Sequence, residues 1–146
     1  MHIRRQLTVA SPLSASNIAA ATVDAIARRD SSEQVRNALA TEFNAADVLL
    51  TDSGTSALVL ALRMFAQAGR PVAMPAYACV DLIAAARRAG VRVRMFDVDP
   101  HTLSPDMDSL RRVLDDGVSA VVVAHLYGFP ADMPAVIKAA REAGVP

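Results

Sequence analysis

The sequence is short of several things, and each shortage excludes a class of protein. Its 146 residues include one cysteine, Cys79, so no intrachain disulfide is possible and the chain reads as intracellular, cytoplasmic by expectation. Neither sign of charge is in excess: Lys plus Arg and Asp plus Glu each number 15. That balance gives no electrostatic case for a nucleic-acid or acidic-membrane partner. The apolar, uncharged stretch Gly117 to Ala131 carries His125, Gly128 and Pro130 and falls short of the roughly 20 residues a spanning helix needs. The opening "MHIRRQLTVASPLS" has basic residues without a sustained apolar region behind them, which argues against a signal peptide. No second His or Cys stands at ligand spacing from His125, so no metal site is expected. Neither GxGxxG nor GxxxxGK followed by Ser or Thr occurs, and with them goes any claim to a dinucleotide or P-loop site.

What is present is apolar and alternating. Apolar residues make up 53% of the chain, enough for a real core and too many for disorder. Residues 14–44 read as helical, with Ser14 or Ser16 as cap and Val35, Leu39 and Phe43 spaced along one face. From Val48 onward short apolar runs alternate with helical ones. "DVLLTDS" predicts a first strand, and "GTSALVLALRMFAQAG" a helix closed by Gly69. "RPVAMPA" predicts a second strand and "CVDLIAAARRAG" a helix ending at Gly90. "VRVRMFDVD" predicts a third strand in which Val91, Val93 and Met95 alternate against arginines. "SPDMDSLRRVLDDG" predicts a helix capped by Ser104, with Pro105 at its first position and Met107, Leu110 and Leu114 on one face. "SAVVVAHLYG" predicts a strand buried on both faces. "ADMPAVIKAAREAG" predicts a last helix lined by Met133, Val136, Ile137 and Ala140 and ended by Gly144. Strand–helix units of this length imply βαβ crossovers, hence an α/β, three-layer fold with a mostly parallel sheet and helices on both faces. The division expected is a helical segment over 1–47 and an α/β domain over 48–146. After Gly144 the alternation calls for another strand, so the chain reads as an α/β domain cut off in mid-sheet.

The residues that could carry chemistry sit where strands end. In "TDSGTSALVL" a strand runs into Ser53-Gly54-Thr55-Ser56 and then a helix. Free N–H groups, a helix dipole, a glycine permitting close approach and two hydroxyls would cradle a phosphate. The same residues also describe an ordinary N-cap with a glycine turn. In "MPAYAC", Tyr77 and Cys79 follow the second strand at its carboxyl end, where open parallel sheets bind ligands. Cys79 has no basic neighbour and reads as a small buried hydrophobe. Asp97 and Asp99 in "FDVDP" are explained by a turn after a strand. His125 and Tyr127 lie at the end of the last strand, His125 reading more simply as a structural residue. The doublets Arg28–Arg29, Arg87–Arg88 and Arg111–Arg112 read as solvated helix faces.

Taken in order, "SGTSAL", "MPAYACV", "FDVDPHTLSPD" and "VVAHLYGFPADM" resemble the DegT/DnrJ/EryC1/StrS family of sugar aminotransferases, from about Glu42 to the end. The resemblance implies a fold-type-I enzyme dependent on pyridoxal 5'-phosphate, and a chain that is the first part of its large domain. It implies that Gly54, Thr55 and Ser56 hold the cofactor phosphate. Cys79 falls where many members stack an aromatic ring on the cofactor, and Tyr77, His125 and Tyr127 line the substrate crevice. It implies a small-molecule amino donor, glutamate by expectation, a keto-sugar or nucleotide-linked acceptor, and a homodimer, to whose burial the apolar helix at 56–66 is suited.

Two family residues are missing: the acid that pairs with the pyridine nitrogen and the lysine that forms the Schiff base. The sole lysine, Lys138, lies in mid-helix and outside any matching motif, so no catalytic residue is assigned and this chain alone is expected to be inactive. A dehydratase relative, a non-catalytic α/β binding or regulatory module and an unrelated nucleotide-binding domain are the competing readings.

Overall fold

The computed structural model describes residues 13–27 and 29–146. Arg28 of the first arginine doublet and the basic N-terminal stretch lie outside the described residues. The chain divides into two compact units between Leu50 and Thr51.

The first unit holds α1 (Ala15–Ile26) and α2 (Ser32–Glu42). The helical expectation over 14–44 is met by these two helices. Ser14 caps α1 by accepting from Asn17 N at 3.1 Å. The face drawn through Val35, Leu39 and Phe43 is not a buried one, since neither helix contains a buried residue.

The second unit is α/β. It contains α3 (Gly54–Phe65), β1 (Val72–Pro75), α4 (Val80–Ala89), β2 (Val93–Phe96), α5 (Met107–Asp115), β3 (Ala120–Val121), a single 3-10 turn at Leu126–Gly128, and α6 (Met133–Glu142). The three strands are parallel in the order β2-β1-β3. Alternation along β1 sorts the core into two halves. Val72 and Met74 pack with Val59 and Leu62 of α3 and Ala85 and Ala86 of α4. Ala73 points the other way, with Phe96, against Leu110, Val113 and Leu114 of α5 and Val136 and Ala139 of α6. The result is the expected three layers with helices on both faces of a parallel sheet. Full burial of a side chain such as Met74 or Phe96 contributes about 1.5–3 kcal/mol.

Several expectations need correcting. Residues 48–53 do not form a strand. Val48 N donates to its neighbour Asp47, and the Thr51 hydroxyl to Ser53 O. Among the described residues no ladder bond joins this run to the sheet. The last strand is two residues long rather than an extended run, and Pro75 supplies the reason. Along β1, Val72 N and Ala76 N donate to Arg92 O and Phe96 O on the β2 side, while Ala73 O accepts from Val122 N on the β3 side. Alternate amides face opposite neighbours, so the next donor toward β3 would come from residue 75, and proline has none.

In β2, Phe96 is the buried residue, whereas Met95 is 58% exposed on this edge strand. α3 ends at Ala66 rather than at Gly69. Only Val59 and Leu62 of α3 are buried, so its apolar length is not enclosed on all sides. α5 is capped by Asp106, whose carboxylate accepts from Ser109 N at 2.7 Å. Ser104 and Pro105 stay outside it, because Pro105 bridges to Val98. On α6, Val136 and Ala140 are buried as expected, but Ile137 is exposed and Ala139 takes its place.

Candidate functional site

α3 leads into β1 through residues 66–71, so its C-terminal end lies at the amino end of the strand. Its N-terminus, about 18 Å away by helical rise, therefore lies toward the carboxyl edge of the sheet. There Ser53 caps the helix, its Oγ accepting from Ser56 N at 3.2 Å. Ala57 N bonds to Ser53 O. The amides of Gly54 and Thr55 have no partner among the described residues, and Gly54 is exposed, with no atom within 4 Å of where a Cβ would stand. The turn is an open cradle with two unspent donors at the positive end of a helix. That is a physical fit for the phosphate of pyridoxal phosphate.

Sequence reasoning passed over one participant. The Ser56 hydroxyl donates to the Asp52 carboxylate and holds its pKa below the ordinary 3.8. Asp52 stands two residues before the glycine of the turn, and that spacing was its only signal. It puts a negative charge beside the cradle but engages the hydroxyl, leaving the Gly54 and Thr55 amides open.

The chain moves from β1 to β2 on one side and then returns past β1 to β3 on the other. The direction of travel thus reverses between β1 and β3, the point at whose carboxyl side open α/β sheets form a crevice. Tyr77 follows β1 and Tyr127 follows β3, and their hydroxyls meet at 2.6 Å. The bond to Tyr77 raises the Tyr127 phenol above its ordinary 10.0. The pairing spans 50 residues of sequence, and no local pattern announces it.

Cys79 is not a buried hydrophobe. It is exposed at the N-cap of α4, its thiol directed at Asp81 Oδ2 at 3.4 Å. No ring stands at that position to stack on a cofactor. His125 Nδ1 accepts from Ala131 N at 3.0 Å and so ties down the loop that carries Tyr127. Asp99 accepts from the amides of His101 and Thr102, and Asp97 from the Ser109 hydroxyl. Both are turn and cap residues, and no group of acids, His and Cys among the described residues could hold a metal ion. Lys138 is 78% exposed on α6, 4.0 Å from Glu142. It belongs to the helix layer across the sheet from α3.

Residues 17–146 match the model of the DegT/DnrJ/EryC1/StrS aminotransferase family. A dTDP-4-dehydro-2,3,6-trideoxy-D-glucose 4-aminotransferase of Saccharopolyspora spinosa is 32% identical over 99 residues, 67% of this chain and 26% of that protein. The crystal structure of 3-amino-5-hydroxybenzoic acid synthase superposes with a TM-score of 0.82 at 28% identity, over 94% of this chain and 38% of that one. The E. coli GDP-4-keto-6-deoxy-D-mannose-3-dehydratase, solved with bound hydrated PLP, shares the fold with a TM-score of 0.77 at 19% identity, over 93% and 38%. The chain thus spans about a quarter of the length of the curated relative.

Proposed function

The chain belongs to the DegT/DnrJ/EryC1/StrS aminotransferase family, and from that premise we propose that it is part of a pyridoxal-phosphate enzyme moving an amino group from an amino acid, glutamate by expectation, to a keto-sugar or nucleotide-linked keto-sugar. Residues 48–146 supply the first part of the cofactor-binding domain, behind a helical segment over 1–47. The enzyme works as a cytoplasmic homodimer on small molecules, without nucleic-acid or membrane partners. No helix among the described residues is long and apolar enough to cross a membrane.

The observation that carries the reading is the open turn at Gly54. The amides of Gly54 and Thr55 and the Thr55 hydroxyl would hold the phosphate, with Ser56 joining them only by releasing Asp52, and the dipole of α3 favours its charge. When bound, pyridoxal phosphate supplies an electron sink for carbanion chemistry. Tyr77 and Tyr127 face the crevice beside it, and His125 holds the Tyr127 loop in place. Lys138, across the sheet, does not attach the cofactor, so these residues position it without completing its chemistry. A dehydratase of the same family shares this fold, and the residue at the missing lysine's position separates the two activities.

Titration with pyridoxal phosphate and with pyridoxal tests the reading. Binding by this chain is expected to be weak and to depend on the phosphate. Thr55→Ala weakens it about tenfold, the range for losing hydrogen bonds to a charged group, with circular dichroism unchanged. Equal affinity for the two compounds sinks the proposal. Tight binding abolished by Lys138→Arg would overturn the account of Lys138.

A further inference from the structure

We propose that the hydroxyls of Tyr77 and Tyr127 act as one hydrogen-bonding unit that holds a hydroxyl group of a neutral, polyhydroxylated ring in the crevice between β1 and β3. The proposal rests on the reading above for its choice of a sugar as occupant, and on four features of the pair for its chemistry.

The first is exposure. Tyr77 is 54% and Tyr127 69% exposed, so water would satisfy each phenol separately and desolvation does not drive them together. Backbone geometry does. Tyr127 sits at φ 53°, ψ 24°, a left-handed conformation that costs a side-chain-bearing residue about 1–2 kcal/mol. The loop around it is closed by Gly128 N to His125 O at 3.3 Å and Phe129 N to Leu126 O at 2.9 Å. The bond from Ala131 N to His125 Nδ1 ties its far end. Strain of this kind persists where surrounding structure enforces it, and it collects at ligand sites.

The second is place: the pair bridges the two loops at the switch point of the sheet. The third is the count of donors and acceptors. Two phenols own two hydrogens; the bond between them uses one, leaving a single outward donor beside unused lone pairs. A ligand hydroxyl, which both gives and accepts, matches that set. A phosphate, an anion that chiefly accepts, would find one donor and no cation, and an ammonium group would leave the donor unused. The phenol that accepts from its neighbour is also the stronger donor outward, because hydrogen bonds in a chain polarise one another. The fourth is that both residues are exposed and aromatic, each offering an apolar ring beside its hydroxyl for the C–H groups of a sugar ring. The bond also holds the Tyr127 phenol above its ordinary 10.0, so that hydroxyl keeps its proton through physiological pH.

The chain has two tyrosines and no tryptophan, so its tyrosine difference absorption reports on this pair alone. The experiment is a titration of the full chain with methyl glucoside, and separately with inorganic phosphate, followed in that signal and, for the variants, by ligand-observed NMR. Methyl glucoside is expected to give a saturable change, and phosphate none. Tyr77→Phe and Tyr127→Phe should each weaken glucoside binding about fivefold, and the double variant no further, since either change dissolves the unit. Absence of a saturable change, unaltered affinity in the phenylalanine variants, additive losses, or a tyrosine response to phosphate would each overturn the proposal. Preference for pyridoxal phosphate over pyridoxal is read in the same samples. Its loss with the glucoside response intact removes the aminotransferase reading and leaves a carbohydrate site, and the converse removes only the tyrosine unit.

Discussion

Ser56 belongs to a relay of three side chains. The Ser53 hydroxyl donates to Ser56 Oγ at 3.1 Å, and the Ser56 hydroxyl donates onward to Asp52. Because the Asp52 carboxyl titrates below 3.8 in the folded chain, the contribution of this bond to stability is fully present above the unfolded value. It is lost as pH falls through the lowered folded value. Ser56→Ala is expected to return Asp52 to the ordinary carboxylate range in a carboxyl NMR titration. Asp99, lowered by the amides of His101 and Thr102, should stay where it is and serves as the control. An unmoved Asp52 would show that the hydroxyl is not the cause. At this scale the sequence was informative about residue type and less so about partners. Ser53 to Ser56 could be recognised as a helix opening from composition alone. The part played by Asp52 depends on where its side chain turns.

Among the elements, α5 shows how a well-marked helix can still be misread at its end. Ser-Pro at 104–105 looks like a cap and a first position, but Asp106 is placed one step later with equal chemistry. What decides is the antiparallel bridge from Val98 to Pro105, which keeps the proline in extended backbone. The buried face was legible, since Leu110 and Leu114 recur at helical spacing and both are buried. Leu110→Ala is expected to destabilise the fold by about 2–5 kcal/mol in a denaturant titration. Met64→Ala on the exposed side of α3 should change it by less than about 0.5 kcal/mol. Equal losses would refute the assignment of core and surface. The same contrast explains the strands. β1 is apolar and buried throughout, as its sequence suggests. The run 48–53 is apolar only over Val48, Leu49 and Leu50, and its recorded bonds are local ones.

Across the whole molecule, burial is uneven. The strand β1 and the helices on its two faces contain most of the buried residues, while α1 and α2 contain none. Amide hydrogen exchange should therefore show two regimes: the amides of Val72, Ala73 and Met74 open only with global unfolding, and those of α1 and α2 exchange within the first labelling times. Protection of α1 and α2 matching that of β1 would contradict this distribution. The alternation of strand and helix signals from residue 70 onward was enough to determine the α/β class and the parallel sheet, while the order of the strands came from the structure. Those features follow from local periodicity and from the handful of ways short crossovers can close. Only the tertiary structure decided that residues 48–53 stay unpaired, that Pro75 ends the β3 ladder, that Cys79 faces solvent, and that Tyr77 meets Tyr127 across 50 residues. Each of these depends on which neighbour occupies an edge or a crevice, and that information is held by distant segments rather than by local pattern.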